Sequence, residues 1–441
     1  MGLSLEGPRS GCALHGALHA ALSIEGVVPI IHSTSGCGVQ GHLGGAIGSG
    51  WSGSGVCGGS AQPSSNISEK QVVFGGTSRL REQIKNTVKV VSGDLYIVLS
   101  GCATEMVGDD IPAMCKEARD QGFPVLSVAS AGFRGSAFRG YELFLKEVIA
   151  QLEPPAYAEC PTISGLINIL GVVPVQNAQW EGNLGEISVL LARIGLSANT
   201  LFGYGATVAG LHNLKRAELS LVFSPWGIEA AQELEARFGI PWRNIGSIPV
   251  GAEGSAALLD TVAEAILLNG ESVKKVNEEL RRREGHHLNK LADVYYHHGW
   301  QRQFALVADS ASAIGIAAFL TTTLGLLPTV VIITDNPATQ SRQKLEETIA
   351  GLLPNFDTQL LFSEDREEIS DAILNLVPEI ILGSSLEWPT ARRLAVPLVE
   401  VSFPITSQVL TDKRHAGPRG ALTLLEDIGR AICADREGLS P

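Results

Sequence analysis

The run Leu95-Tyr96-Ile97-Val98-Leu99-Ser100-Gly101-Cys102-Ala103-Thr104-Glu105 changes character at one point. Its first six residues are apolar or β-branched for the most part and carry no charge, as a strand buried on both faces should be. Gly101 then turns the chain, and Cys102 opens a helix-length segment. The same pattern recurs outward from this stretch. Short apolar runs stand at residues 27–32, 125–130, 219–224, 304–308, 330–334, 359–362, 380–382 and 398–402, separated by segments long enough for a helix. Strands that alternate with helices in this way build parallel sheets covered on both faces. The expected fold is therefore α/β: three doubly wound, Rossmann-like domains with parallel sheets. The expected divisions are 1–155, 156–285 and 286–441. Pro154-Pro155-Ala156-Tyr157 suits a linker, because two prolines resist both helix and sheet. The charged stretch 273–284 reads as an exposed connecting helix, and residues 421–432 as an amphipathic helix near the end of the third division.

Composition narrows the function. Of 441 residues, 45% are hydrophobic and 18% charged, so large packed cores are available and a disordered chain is excluded. The net charge of −13 argues against nucleic acid as a partner, which would favour a basic surface. Residues 26–68 and 310–334 lack Asp, Glu, Lys and Arg. The first is too rich in Gly and Ser to span a membrane, and the second divides into a helix and a strand, so no membrane span is expected. Seven cysteines, an odd number, do not make a disulfide framework in a chain this long. Met1–Pro8 lacks the basic and apolar regions of a signal peptide. A reducing, cytoplasmic compartment is expected, with the cysteines as free thiols or metal ligands.

Cys37 and Cys102 each follow an expected strand and a glycine, and Cys57 lies in a loop dense in Gly and Ser. In a parallel sheet both strand-end thiols project from one edge. Glycine beside each lets the backbone approach a bulky inorganic group and leaves N–H groups to face anionic sulfide. That pattern suits an iron–sulfur cluster. No Cys-x-x-Cys pair is present, so zinc ribbons and bacterial ferredoxin motifs do not fit. The alternative for any free thiol is packing as a small hydrophobe. Cys12, Cys115, Cys160 and Cys433 are read that way, and His32, at a strand end, as a core histidine. Glu105, Asp109 and Asp110 are explained by the preference of acids for the start of a helix. Walker A, complete dinucleotide-binding and nucleophile-elbow motifs are absent from the sequence, and no catalytic residue is assigned.

Several blocks resemble the β subunit of the nitrogenase component 1 family: Cys12-Ala13-Leu14-His15-Gly16 with Pro29-Ile30-Ile31-His32-Ser33-Thr34-Ser35-Gly36-Cys37; Val73-Phe74-Gly75-Gly76; Ser100 through Asp110; and Phe133-Arg134-Gly135-Ser136. Weaker likeness continues through residues 299–309 and 402–405. The resemblance implies three doubly wound domains and a homologous α subunit in an α2β2 heterotetramer. It implies a P-cluster-type iron–sulfur cluster, [8Fe-7S], shared between α and β, and an ATP-dependent [4Fe-4S] reductase protein as electron donor. The substrate-reducing metallocofactor would belong to the α subunit. Cys37 and Cys102 fall on two of the family's three β cysteines. The third is expected near Gln62, where no cysteine stands, so Cys57 becomes the expected third ligand. A family serine that binds the oxidised cluster is expected near Gly132. These departures suit a nitrogenase-like reductase acting on another substrate, with methylthio-alkane reductase, which cleaves C–S bonds, as the leading reading. A dinitrogen-reducing subunit, a cofactor-assembly scaffold and a light-independent tetrapyrrole reductase are the alternatives.

Overall fold

The computed structural model describes residues 9–48, 50, 62–152, 161–354 and 356–436. Its named strands form three sheets, and every pairing within them is parallel. The first sheet holds β1 (Val27–His32), β2 (Leu95–Ser100) and β3 (Val125–Val128) in that order. The second holds β4 (Leu166–Leu170), β5 (Ser197–Asn199), β6 (Leu219–Val222) and β7 (Trp242–Asn244) in the order β5-β4-β6-β7. The third holds β8 (Gln303–Ala308), β9 (Leu327–Ile333), β10 (Gln359–Phe362), β11 (Ile380–Gly383) and β12 (Leu398–Glu400) in the order β10-β9-β8-β11-β12. The last two orders are those of doubly wound sheets.

All nine expected strands are present. Three more were not legible, and all three lie in the second sheet. β5 and β7 are three residues each and have no apolar run. β4 is interrupted by Asn168, which is fully buried because its amide donates to the Leu214 carbonyl and to Ser220. The expected connecting helix is longer than its charged part: Gly270–His298 runs unbroken through residue 285. The closing helix, Gly417–Arg436, packs chiefly on Gly251–Ala265 and on the 270–298 helix rather than on the third sheet. No described helix is long and apolar enough to cross a membrane.

The first sheet shows why alternation along its strands matters. Ile31, Ile97 and Leu99 face the main core, while Ile30, Tyr96 and Val98 face a second cluster with Leu80, Ile84 and Cys115. On the main face, helix Ala13–Leu22 crosses helix Ala137–Gln151 at two glycines. A Cβ at Gly16 would stand 1.8 Å from the Ala137 carbonyl oxygen, and one at Gly140 2.0 Å from that of Ala13. This close approach brings the start of the first helix against the loop that precedes Ala137.

The N-terminal segment is also held from the far side of the molecule. Arg9 enters the crevice at the carboxyl end of β11, where it donates to Ser384 Oγ (2.7 Å) and pairs with Glu387, both side chains being 3% exposed. The second and third sheets lock together through buried polar contacts, Asn177 with Asp309 and Ser312, and Trp226 with Asp335.

Candidate cluster-binding site

The parallel register pairs His32 with Ser100, so β1 and β2 end level with each other. Gly101 N–H donates to the His32 carbonyl (3.0 Å), as does the Thr104 hydroxyl (2.8 Å). The two turns that follow these strands therefore sit side by side. The first turn leads into helix Ser35–Gly48, which carries Cys37 in its first turn. The second leads into helix Cys102–Val107, with Gly101 in extended backbone at its N-cap. Ser33 Oγ lies 3.2 Å from Cys37 Sγ and Thr34 Oγ1 3.6 Å from it. Ser33 also presses on the second turn: a Cβ at Gly101 would stand 2.1 Å from Ser33 Oγ, so this position takes only glycine.

A third thiol joins them. Cys12 caps helix Ala13–Leu22 and pairs through its backbone with Ser136. Between Cys12 and Cys102 stands Gly132. A Cβ placed there would be 3.1 Å from both sulfurs, so the two Sγ atoms lie within twice that distance of each other. His15 lies against the third thiol, its Nδ1 3.7 Å from Cys12 Sγ. Burial holds the His15 imidazole below its ordinary range, so it is neutral near pH 7.

Cys12, Cys37 and Cys102 thus stand at the starts of three different helices, where unpaired N–H groups and the helix dipole favour negative charge. Cys102 is exposed, and the other two are half-buried. Among the described residues, no three His, Cys, Asp or Glu side chains are grouped as a single metal ion would need. Thiols offered from three separate turns along one edge, over glycines that leave room, suit a polynuclear iron sulfide that bridges them.

The loop beside the thiols is braced by Glu105. It accepts from the Ala131 N–H (3.1 Å), from Ser100 Oγ and from Arg134 Nε (2.7 Å), and so fixes residues 131–134 over Cys102. Glu105 therefore does more than favour a helix start. Asp109 likewise bonds His32, Gly76 and Thr77, whereas Asp110 caps the next helix by accepting from Ala113 N–H. Around the thiols, Val39, Leu43, Phe74, Met106 and Phe133 expose apolar side chains; Phe74 is 81% and Met106 79% accessible. Exposed apolar groups of this kind suit a surface for a partner protein.

Cys115 is a different kind of thiol. It is buried under the first sheet, and burial pushes its pKa up to about 12. It serves as packing. His32 is a satisfied core histidine, as expected. Cys57 and Cys160 lie outside the described residues. Cys12, read from the sequence as packing, does pack against the main core and also stands beside Cys102 across Gly132. A signal for it exists: Gly11-Cys12, Gly36-Cys37 and Gly101-Cys102 are the chain's three Gly-Cys pairs, and each opens a helix.

A family model described as nitrogenase component 1 type oxidoreductase matches residues 12–433. The chain is 25% identical to the nitrogenase molybdenum-iron protein beta chain of Bradyrhizobium diazoefficiens, over 96% of this chain and 83% of that one. It is 24% identical to the nitrogenase vanadium-iron protein beta chain of Trichormus variabilis, over 97% and 93%. Its fold matches a solved structure described as nitrogenase Cp1 at pH 6.5, with a TM-score of 0.82, 19% identity, and coverage of 100% of this chain and 96% of that one.

Proposed function

The chain belongs to the nitrogenase component 1 type oxidoreductases, and from that membership we propose that it is the β-type subunit of a nitrogenase-like reductase. In this reading it holds half of a P-cluster-type iron–sulfur cluster, shared with a homologous α-type subunit in an α2β2 heterotetramer in the cytoplasm. Such a cluster would relay electrons from an ATP-dependent reductase protein to a metallocofactor in the α-type subunit.

The observation that carries the proposal is the meeting of Cys12 and Cys102 around Gly132, with Cys37 joined to Cys102 through Ser33 and Gly101. The chain's own residues have separable tasks. Cys12, Cys37 and Cys102 supply thiolates. To a Cys37 thiolate the Ser33 hydroxyl, 3.2 Å away, would donate, and the helix-start N–H groups would face anionic sulfur, both of which tune a cluster's potential. The exposed apolar side chains exclude water once the partner is seated. Cys57 competes with Cys12 for the place of third ligand. Iron per heterodimer, measured after anaerobic co-purification, tests this. Cys12→Ala, Cys37→Ala and Cys102→Ala should each lower it sharply, and Cys57→Ala should not. Full iron in Cys12→Ala with loss in Cys57→Ala would reverse the assignment of the third ligand.

For the reaction we propose reductive C–S cleavage of methylthio-alkanes, because Gly132 stands where the family resemblance places a cluster-binding serine. Dinitrogen reduction is the second reading, favoured by the molybdenum and vanadium nitrogenase beta chains among the relatives. Incubating the complex and its reductase with ATP separates them: ethylene or methane released from a methylated thioether supports the first, ammonia from dinitrogen the second. A scaffold for cofactor assembly would turn over neither.

A further inference from the structure

One buried residue joins the two cysteine turns, and the reading of the site does not use it. His32 is fully buried at the end of β1. Its Nε2 lies 3.0 Å from Asp109 Oδ2, and its Nδ1 lies 2.9 Å from Ser65 Oγ. Asp109, whose side chain is 3% exposed, also accepts from Gly76 N–H (2.7 Å) and Thr77 Oγ1 (3.2 Å). A carboxylate can only accept, so Nε2 carries the proton; Nδ1 lies against Ser65 Oγ, which also stands 3.4 Å from the Ser33 carbonyl oxygen. Burial holds the imidazole below its ordinary range in spite of the neighbouring carboxylate.

Four segments meet at this ring. The His32 carbonyl accepts from Gly101 and Thr104, in the Cys102 turn. The next residue, Ser33, contacts Cys37 through its hydroxyl and accepts from Ile67 N–H (3.0 Å) through its carbonyl. Ser65 brings in the 62–67 loop by donating its N–H to the Ile31 carbonyl (2.9 Å). Asp109 ties in the start of helix Thr77–Val90. Gly76 is shaped to this junction, since a Cβ there would stand 2.4 Å from Asp109 Oδ2 and 3.2 Å from His32 Cε1.

We propose that His32 and Asp109 are positioning residues that fix the Cys37 and Cys102 turns relative to each other, and that the buried Asp109 carboxylate keeps the reduction potential of the group held there low. The second half rests on the cluster-binding reading of the site; the first does not. A negative charge held in the junction between the two cysteine turns opposes adding an electron to a cluster that is already anionic. The charge and the scaffold are separable by substitution. Asp109→Asn can still accept from Gly76 and Thr77, and it can donate to Nε2 if the ring takes its other tautomer and Nδ1–H donates to Ser65. It removes the charge and keeps the junction. His32→Ala removes the junction itself.

Two measurements on the full chain in its complex test this. The first is the alkylation rate of the half-buried Cys37 in metal-free protein. His32→Ala should raise it by roughly tenfold or more, the loss of a buried, charge-assisted hydrogen bond, and His32→Gln, which keeps the donation to Asp109, should restore much of the protection. Unchanged rates overturn the positioning role whether or not the site binds iron. The second is the midpoint potential of the iron-loaded complex. Asp109→Asn should move it to more positive values with iron content near that of the parent. An unmoved potential overturns the electrostatic role. If the parent complex holds no iron between its subunits, the cluster-binding reading fails and the electrostatic role falls with it, while the alkylation result still decides the positioning role.

Discussion

Replacing Gly132 with alanine tests the thiol arrangement through its tightest point. The added methyl would stand 3.1 Å from Cys102 Sγ, 3.1 Å from Cys12 Sγ and 3.2 Å from Cys12 Cβ. At such separations each neighbour must give way by a few tenths of an ångström. In the metal-free chain both thiols can rotate aside, and the cost is about 0.5–1.5 kcal/mol for a side chain pushed from its rotamer. With both sulfurs bound to one rigid group neither can turn, and the strain approaches the ~1–3 kcal/mol of an overpacked core. The difference, about 0.5–1.5 kcal/mol, falls on retention of the group, a factor of roughly 2 to 13. The assay is iron retained under a chelator, beside the denaturation midpoint of the metal-free protein. The expected result is a severalfold loss of retention with a small change in the midpoint. Parent-like retention would mean that Cys12 and Cys102 do not bind a common group across Gly132.

Three further outcomes follow from other parts of the molecule. Arg9→Met should leave Glu387 buried without its partner and cost about 3–5 kcal/mol; adding Glu387→Gln should recover most of that in a denaturant titration, and an additive double variant would contradict the pairing. His19 is buried and neutral, with its pKa lowered to about 4. The unfolded chain therefore binds more protons than the native one below about pH 6.5, so its contribution is complete above that pH and is lost as pH falls towards 4, about 2 kcal/mol by pH 5. His19→Gln should flatten the decline in denaturation midpoint between pH 7 and 5, and an equal slope would refute the assignment. Cys115→Ala should leave iron content and cluster spectrum unchanged, at a modest cost in stability from the small cavity it opens.

What could be read in the sequence follows from which signals are local. The nine apolar strands, including β2 with its uncharged Leu95–Ser100 run, announce themselves because a strand buried on both faces needs no polar alternation. β4, β5 and β7 do not, since Asn168 is satisfied by residues distant in the chain and three-residue strands carry no pattern. Cys37 and Cys102 were visible as strand-end thiols. Cys12 was not, because it follows no strand; it reaches the site through the glycine crossing of Gly16 and Gly140, a contact between segments more than a hundred residues apart. Glu105 and Asp109 look like ordinary helix-start acids until Arg134, Ala131 and His32 are seen folded against them.

The most direct test is diffraction at the iron absorption edge from crystals of the complex grown without oxygen. The account predicts an anomalous peak within bonding distance of the Cys12, Cys37 and Cys102 sulfurs, on the face ringed by Phe74, Met106 and Phe133. Iron bound elsewhere in the subunit, or a peak touching Cys37 and Cys102 but leaving Cys12 free, would contradict it.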